Sequence, residues 1–139
     1  MVQRTMKEII AELQAFDIQG DYLARLGRLT DEVLASGEPE QALLAMLGIL
    51  ERYPEEELGM PGPLVHAIEQ CIGYEKELLA SIERQPGVLT VWILYRLYRE
   101  ERDVAYLEAL KAVLKNPKAG EQVKEDVDIL LTQFIRSSP

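Results

Sequence analysis

Apolar residues recur at three- and four-residue spacing from one end of the chain to the other, the period of a helix face rather than of a strand. Met6, Ile9, Ile10, Leu13 and Phe16 form one stripe and predict a first helix over about residues 3–16. Asp21 stands where a helix cap is expected, followed by Leu23, Leu26, Leu29, Val33 and Leu34 on one face, with Ser36-Gly37 as the stop. Pro39 suits the first turn of a third helix, which runs to a halt before Pro54.

From Ala42 to Leu50 this third segment has almost no polar face, so it is expected to be central and packed on several sides. Val88–Leu94 has the same character. Its β-branched residues would also suit a buried strand, but Arg96, Arg99 and Arg102 follow without a turn signal and no second strand is present to pair with it. A stiff turn is expected at Leu58-Gly59-Met60-Pro61-Gly62-Pro63. Leu64, Val65, Ile68 and Ile72 make the next stripe, Gly73 marks a break, and Tyr74–Arg84 continues as helix. Asp103 caps a segment carrying Val104, Leu107, Leu110, Val113 and Leu114, and a last helix starts near Glu121 with Val123, Val127, Leu130, Leu131, Phe134 and Ile135. The fold expected is all-α, about seven helices, in one domain over residues 1–139.

Three helix endings share a pattern. Leu47, Leu50, Arg52 and Pro54 match Leu79, Ile82, Arg84 and Pro86, and again Leu110, Val113, Lys115 and Pro117, at spacings of 32 and 31 residues. A base in the last turn complements the helix dipole, and the proline forbids continuation. A period of this length predicts stacked antiparallel helix pairs of the HEAT or armadillo kind. Such endings are also generic, so an irregular helical bundle is the alternative.

Composition narrows the functional classes. At 47% apolar and 28% charged the chain has the balance of a globular domain, and disorder is not expected except at the last few residues. The single Cys71 forms no internal disulfide and no paired-cysteine metal site. It is expected as a small packed apolar side chain. The first ten residues lack the long apolar stretch of a signal or anchor, so a cytoplasmic location is expected. A net charge of −9 disfavours nucleic-acid and anionic-membrane partners and favours a cationic protein. Residues 36–60 hold six acids against one base, whereas residues 87–116 hold four against five. That local excess nominates Glu38, Glu40, Glu51, Glu55, Glu56 and Glu57 as a docking surface for a basic partner.

Candidate chemistry is sparse. His66, the only histidine, shares a helix face with Glu69, but two ligands do not make a metal site and no HExxH-like pattern is present. The segment from Gly59 to Pro63 has prolines where a phosphate loop needs amide donors. Glu55-Glu56-Glu57 lacks the alternate spacing of a calcium loop. No catalytic residue, metal ligand or cofactor site is therefore assigned, and no enzymatic activity is expected. Tyr95, Arg96, Tyr98 and Arg99 form an aromatic and arginine cluster of the composition enriched at protein interfaces. The ordinary alternative packs Trp92 and Tyr95 in the core and pairs the arginines with Glu100, Glu101 and Asp103.

The stretch Gly59-Met60-Pro61-Gly62-Pro63-Leu64-Val65-His66-Ala67-Ile68-Glu69, with Thr90-Val91-Trp92-Ile93-Leu94-Tyr95-Arg96-Leu97 after it, resembles small helical bacterial immunity proteins of polymorphic toxin and contact-dependent inhibition systems. Tyr95 departs from that pattern, where a polar or smaller residue is expected. The resemblance spans about a third of the chain. It implies a protein that binds and blocks a cognate toxin and performs no reaction; it transfers no site residues.

Overall fold

The computed structural model describes residues 4–59 and 62–135. Gln3 of the expected first helix, and Met60 and Pro61 of the expected stiff turn, lie outside them. The described residues form eight α-helices and no strand: α1 (Met6–Gln14), α2 (Tyr22–Ala35), α3 (Leu43–Arg52), α4 (Gly62–Glu69), α5 (Tyr74–Arg84), α6 (Val88–Glu101), α7 (Val104–Val113) and α8 (Glu121–Ile129). A short 3₁₀ turn, Pro39–Ala42, precedes α3, and Leu130–Ile135 continues α8 with the wider π-helical pitch.

Local signals set most boundaries. Thr5 and Glu8 form a reciprocal cap on α1: the Thr5 hydroxyl accepts from the Glu8 amide and the Glu8 carboxylate accepts from the Thr5 amide. Asp103 caps α7 by accepting from the Ala105 amide at 2.9 Å. Gly73 enters α5 with φ +77°, a left-handed conformation that a side chain would resist.

Four expectations need correction. Pro39 opens a 3₁₀ turn and not α3 itself. Asp21 precedes α2 but its carboxylate bonds no helix amide. That turn is fixed instead by Arg25, whose guanidinium donates to the carbonyls of Asp17 and Gln19, both at 2.8 Å. Leu23 is 43% exposed and leaves the α2 stripe to lie beside Gly59. Ile72 is 86% exposed because α4 has ended at Glu69, so it falls beyond the stripe.

Packing follows the chain two helices at a time. The odd-numbered helices make a row, α1 on α3, α3 on α5 and α5 on α7. The even-numbered helices pair α2 with α4 and α6 with α8, and α1 also meets α2, α3 meets α4, α5 meets α6, and α7 meets both α6 and α8. None of these helices exceeds fourteen residues, a length near the margin for an isolated helix in water, so tertiary burial has to supply the stability. It comes chiefly from α3 and α6. Met46, Leu47, Ile49, Ile93 and Leu94 are fully enclosed, and only Leu44 breaks the burial of α3's leucines.

The ends of the odd helices are stitched together by polar side chains. Arg52 at the end of α3 donates to the carbonyls of Leu13 and Phe16 at the end of α1, at 3.0 and 3.2 Å. Arg84 at the end of α5 pairs with Glu51 of α3 at 2.9 Å. Asn116, just past α7, donates to the Glu83 carbonyl of α5 at 3.2 Å. The repeated base expected to serve its own helix dipole therefore serves the preceding odd helix, and in the third case Asn116 takes the place of Lys115.

One backbone contact joins the two enclosed helices. The Val88 amide at the start of α6 donates to the Pro54 carbonyl past the end of α3 at 2.7 Å. Gly87 lies so close that a Cβ there would stand 3.0 Å from the Pro54 oxygen and 3.2 Å from the Pro54 Cα. Both obstacles are backbone and cannot swing aside. Gly87→Ala should destabilise the protein by about 1–3 kcal/mol in urea unfolding, the range for overpacking. Leu47→Ala, opening a cavity in α3, should cost about 2–5 kcal/mol in the same measurement. A Gly87→Ala protein as stable as the parent would show that this junction yields.

Candidate functional site

The acidic residues nominated by sequence do not form one surface. Glu38 and Glu40 precede α3 and Glu55–Glu57 follow it, so a ten-residue helix rising roughly 15 Å separates the two groups. Glu38 accepts from the Gln41 side chain, and Glu40 accepts from the Ile72 amide at 3.0 Å, tying the α2–α3 and α4–α5 connections together. Glu51 is engaged inside the fold, by Arg84 and by the Ser81 hydroxyl at 2.7 Å. It is withdrawn from the candidate docking surface.

Glu55, Glu56 and Glu57 are different. All three are exposed, and none makes an ion pair with a described residue. They border a pocket of about 490 Å³ together with Tyr22, Val88 and Asp126. Every helix pair contributes to this pocket: α2 through Tyr22, the α3–α4 connection through the glutamates, α6 through Val88 and α8 through Asp126. Sequence reasoning missed Asp126, which is 69 positions from Glu57 and carries no local signal.

The pocket lies where α2, α6 and α8 begin. Each helix start carries roughly half a positive charge, which stabilises nearby carboxylates and accounts for part of the acidic run. The Glu55 carboxylate lies against Gly120 at the start of α8. Four full negative charges nonetheless exceed three half charges, and no Lys or Arg lines the pocket. A net negative concavity remains. Leu58 anchors the acidic loop: it is buried, with φ +47°, a strained backbone for a bulky residue that its enclosed side chain holds in place.

Adjoining this pocket, and sharing Glu57, Val88 and Asp126 with it, is a smaller apolar recess of about 240 Å³ walled by Val91, Trp92, Ile129 and Leu130. The Trp92 indole nitrogen is covered and has no hydrogen-bond partner among the described residues.

The aromatic and arginine cluster is mostly committed to the fold. Tyr95 is only 4% exposed, packs against Trp92 and Phe134, and accepts from Arg99 at 3.3 Å, so it is not a surface contact. Arg96 pairs with Glu69 at 3.0 Å, not with the neighbouring acids expected for it. Tyr98 is half-buried beneath the Arg102 guanidinium, and Arg99 lies over the Tyr95 ring.

His66 is exposed, and its helix neighbour Glu69 turns to Arg96. Among the described residues no three His, Cys, Asp or Glu side chains gather closely enough to hold a metal ion. Cys71 is buried, its thiol pushed up to about 11 by desolvation and by the Glu40 charge. Among the described residues no helix is long and apolar enough to cross a membrane. No protein-family profile, curated protein or solved structure matches the chain.

Two measurements probe these environments. Burial pushes the Glu51 carboxyl up, but the hydrogen bonds from Arg84 and Ser81 outweigh it and leave it below its ordinary 4.5. A lowered folded value means that this group adds stability above the unfolded carboxylate range and loses it as pH falls through the folded value. Glu51→Gln should therefore flatten the acid limb of a stability-against-pH curve below about pH 5, where the unfolded carboxylate titrates. Cys71 should react with an aromatic disulfide at pH 8 only on unfolding; rapid labelling of the native protein would contradict its enclosure.

Proposed function

We propose that this chain is a protein-binding module that captures a basic protein at the pocket formed by the starts of α2, α6 and α8. The observation that carries the reading is a concave site lined by Glu55, Glu56, Glu57 and Asp126 with no cation beside them. A cleft of one charge sign focuses its field and raises the encounter rate of an oppositely charged partner. In its most specific form the reading is an immunity protein, cytoplasmic, that occludes a cationic toxin, as the resemblance at residues 59–69 and 90–97 implies. Binding of this kind needs no catalytic group.

A second reading is a helical-repeat adaptor in a bacterial complex. Its support is the row of odd helices with polar ties at each end, the arrangement that HEAT-like stacks use to extend a surface. An enzyme using His66 has less support, because Glu69 is engaged by Arg96.

The test is affinity capture from the source organism, followed by association kinetics at low and high salt. Reversing Glu56, Glu57 and Asp126 to lysine should slow association with the captured protein by roughly tenfold or more at low salt and flatten its salt dependence. Reversing Glu38 and Glu40, at the far end of α3, should leave the rate unchanged. A captured partner that is acidic, or equal rates for the parent and the triple variant, would reduce the pocket to a solubilising surface. His66→Ala should leave capture intact.

A further inference from the structure

We infer that the acidic pocket and the apolar recess beside it form one two-part site, which takes a partner segment carrying a basic side chain next to a large aliphatic one. This rests on the reading above and specifies the partner's chemistry. The recess is an open apolar groove between α6 and α8, walled by Val91, Trp92, Ile129 and Leu130. Glu57 and Asp126 border the recess and the pocket alike, so the apolar surface continues into the charged one without a gap.

Volume and charge select the occupant. A recess of about 240 Å³ exceeds one aliphatic side chain and falls short of a packed helix. The pocket of about 490 Å³ beside it has room for a lysine or arginine side chain with its hydration. Adjacent residues of an extended segment are about 3.8 Å apart at their Cα atoms and point to opposite sides, so the pair is best presented by a turn or by positions two apart. Ile129 leaves 42% of its surface to solvent on the recess wall, apolar area that such a side chain would cover.

The experiment titrates the full chain with three short synthetic peptides: one with lysine and leucine two positions apart, one with serine replacing the leucine, and one with glutamate replacing the lysine. Trp92 is the only tryptophan, so its indole N–H resonance reports the recess alone. The lysine–leucine peptide should move that resonance. The serine peptide should bind roughly tenfold more weakly without moving it, and the glutamate peptide should not bind. Ile129→Glu, folded by circular dichroism, adds a carboxylate beside the pocket yet should weaken the lysine–leucine peptide by roughly tenfold, the scale of one lost aliphatic contact. Charge capture alone demands the opposite sign. Tighter binding by Ile129→Glu, or equal binding of the serine peptide, overturns the two-part site and leaves capture of a basic partner standing. No binding of either basic peptide at millimolar concentration overturns both. A mass that doubles with protein concentration, moving the indole resonance without peptide, puts a second copy in the groove and overturns the proposal.

Discussion

The bond from the Val88 amide to the Pro54 carbonyl, made possible by the bare backbone of Gly87, is the constraint on which both the core and the pocket depend. Pro54 ends α3 and Val88 begins α6, the two most enclosed helices, so the contact sets how the first half of the chain meets the second. It also fixes the root of Glu55–Glu57. A side chain at position 87 would push Pro54 away and carry the acidic loop with it. Fold and pocket are therefore coupled through a single close approach, and Leu58 completes the restraint from the other end of the loop.

Helical periodicity made the architecture readable in advance. Stripes such as Ile9 with Leu13, or Val123 with Val127, were buried as their spacing requires, and Gly73 and Asp103 marked boundaries by local backbone chemistry. The misjudged residues lie mostly at helix ends: Leu23 in the first turn of α2, Pro39 in the 3₁₀ turn before α3, and two more. Ile72 continues a numerical pattern past the end of α4, and Arg25 does the work assigned to Asp21. Periodicity reports a face only while the helix lasts, and sequence alone marks the ends poorly.

The pocket was half legible. Three consecutive glutamates are visible in any reading, but Asp126, Tyr22 and Val88 reach them only through the stacking of helix pairs. Counting charge along residues 36–60 also merged groups that α3 holds apart and included Glu51, which the fold spends on Arg84. Linear charge density measures proximity in the chain, whereas a docking surface is defined by proximity in space. In the aromatic and arginine cluster Tyr95 packs inward, as the ordinary alternative expects, because composition cannot distinguish a tyrosine facing outward from one wedged between Trp92 and Phe134.

Residues from all four helix pairs line the acidic pocket, so its shape depends on how those pairs pack against one another. The odd helices contact one another in turn, α1 on α3, α3 on α5 and α5 on α7, so a shift of one is felt by the next. An occupant would act as a keystone, stiffening helices it never touches, and slower hydrogen exchange in α1 and α7 would register its arrival as plainly as any change in the pocket itself.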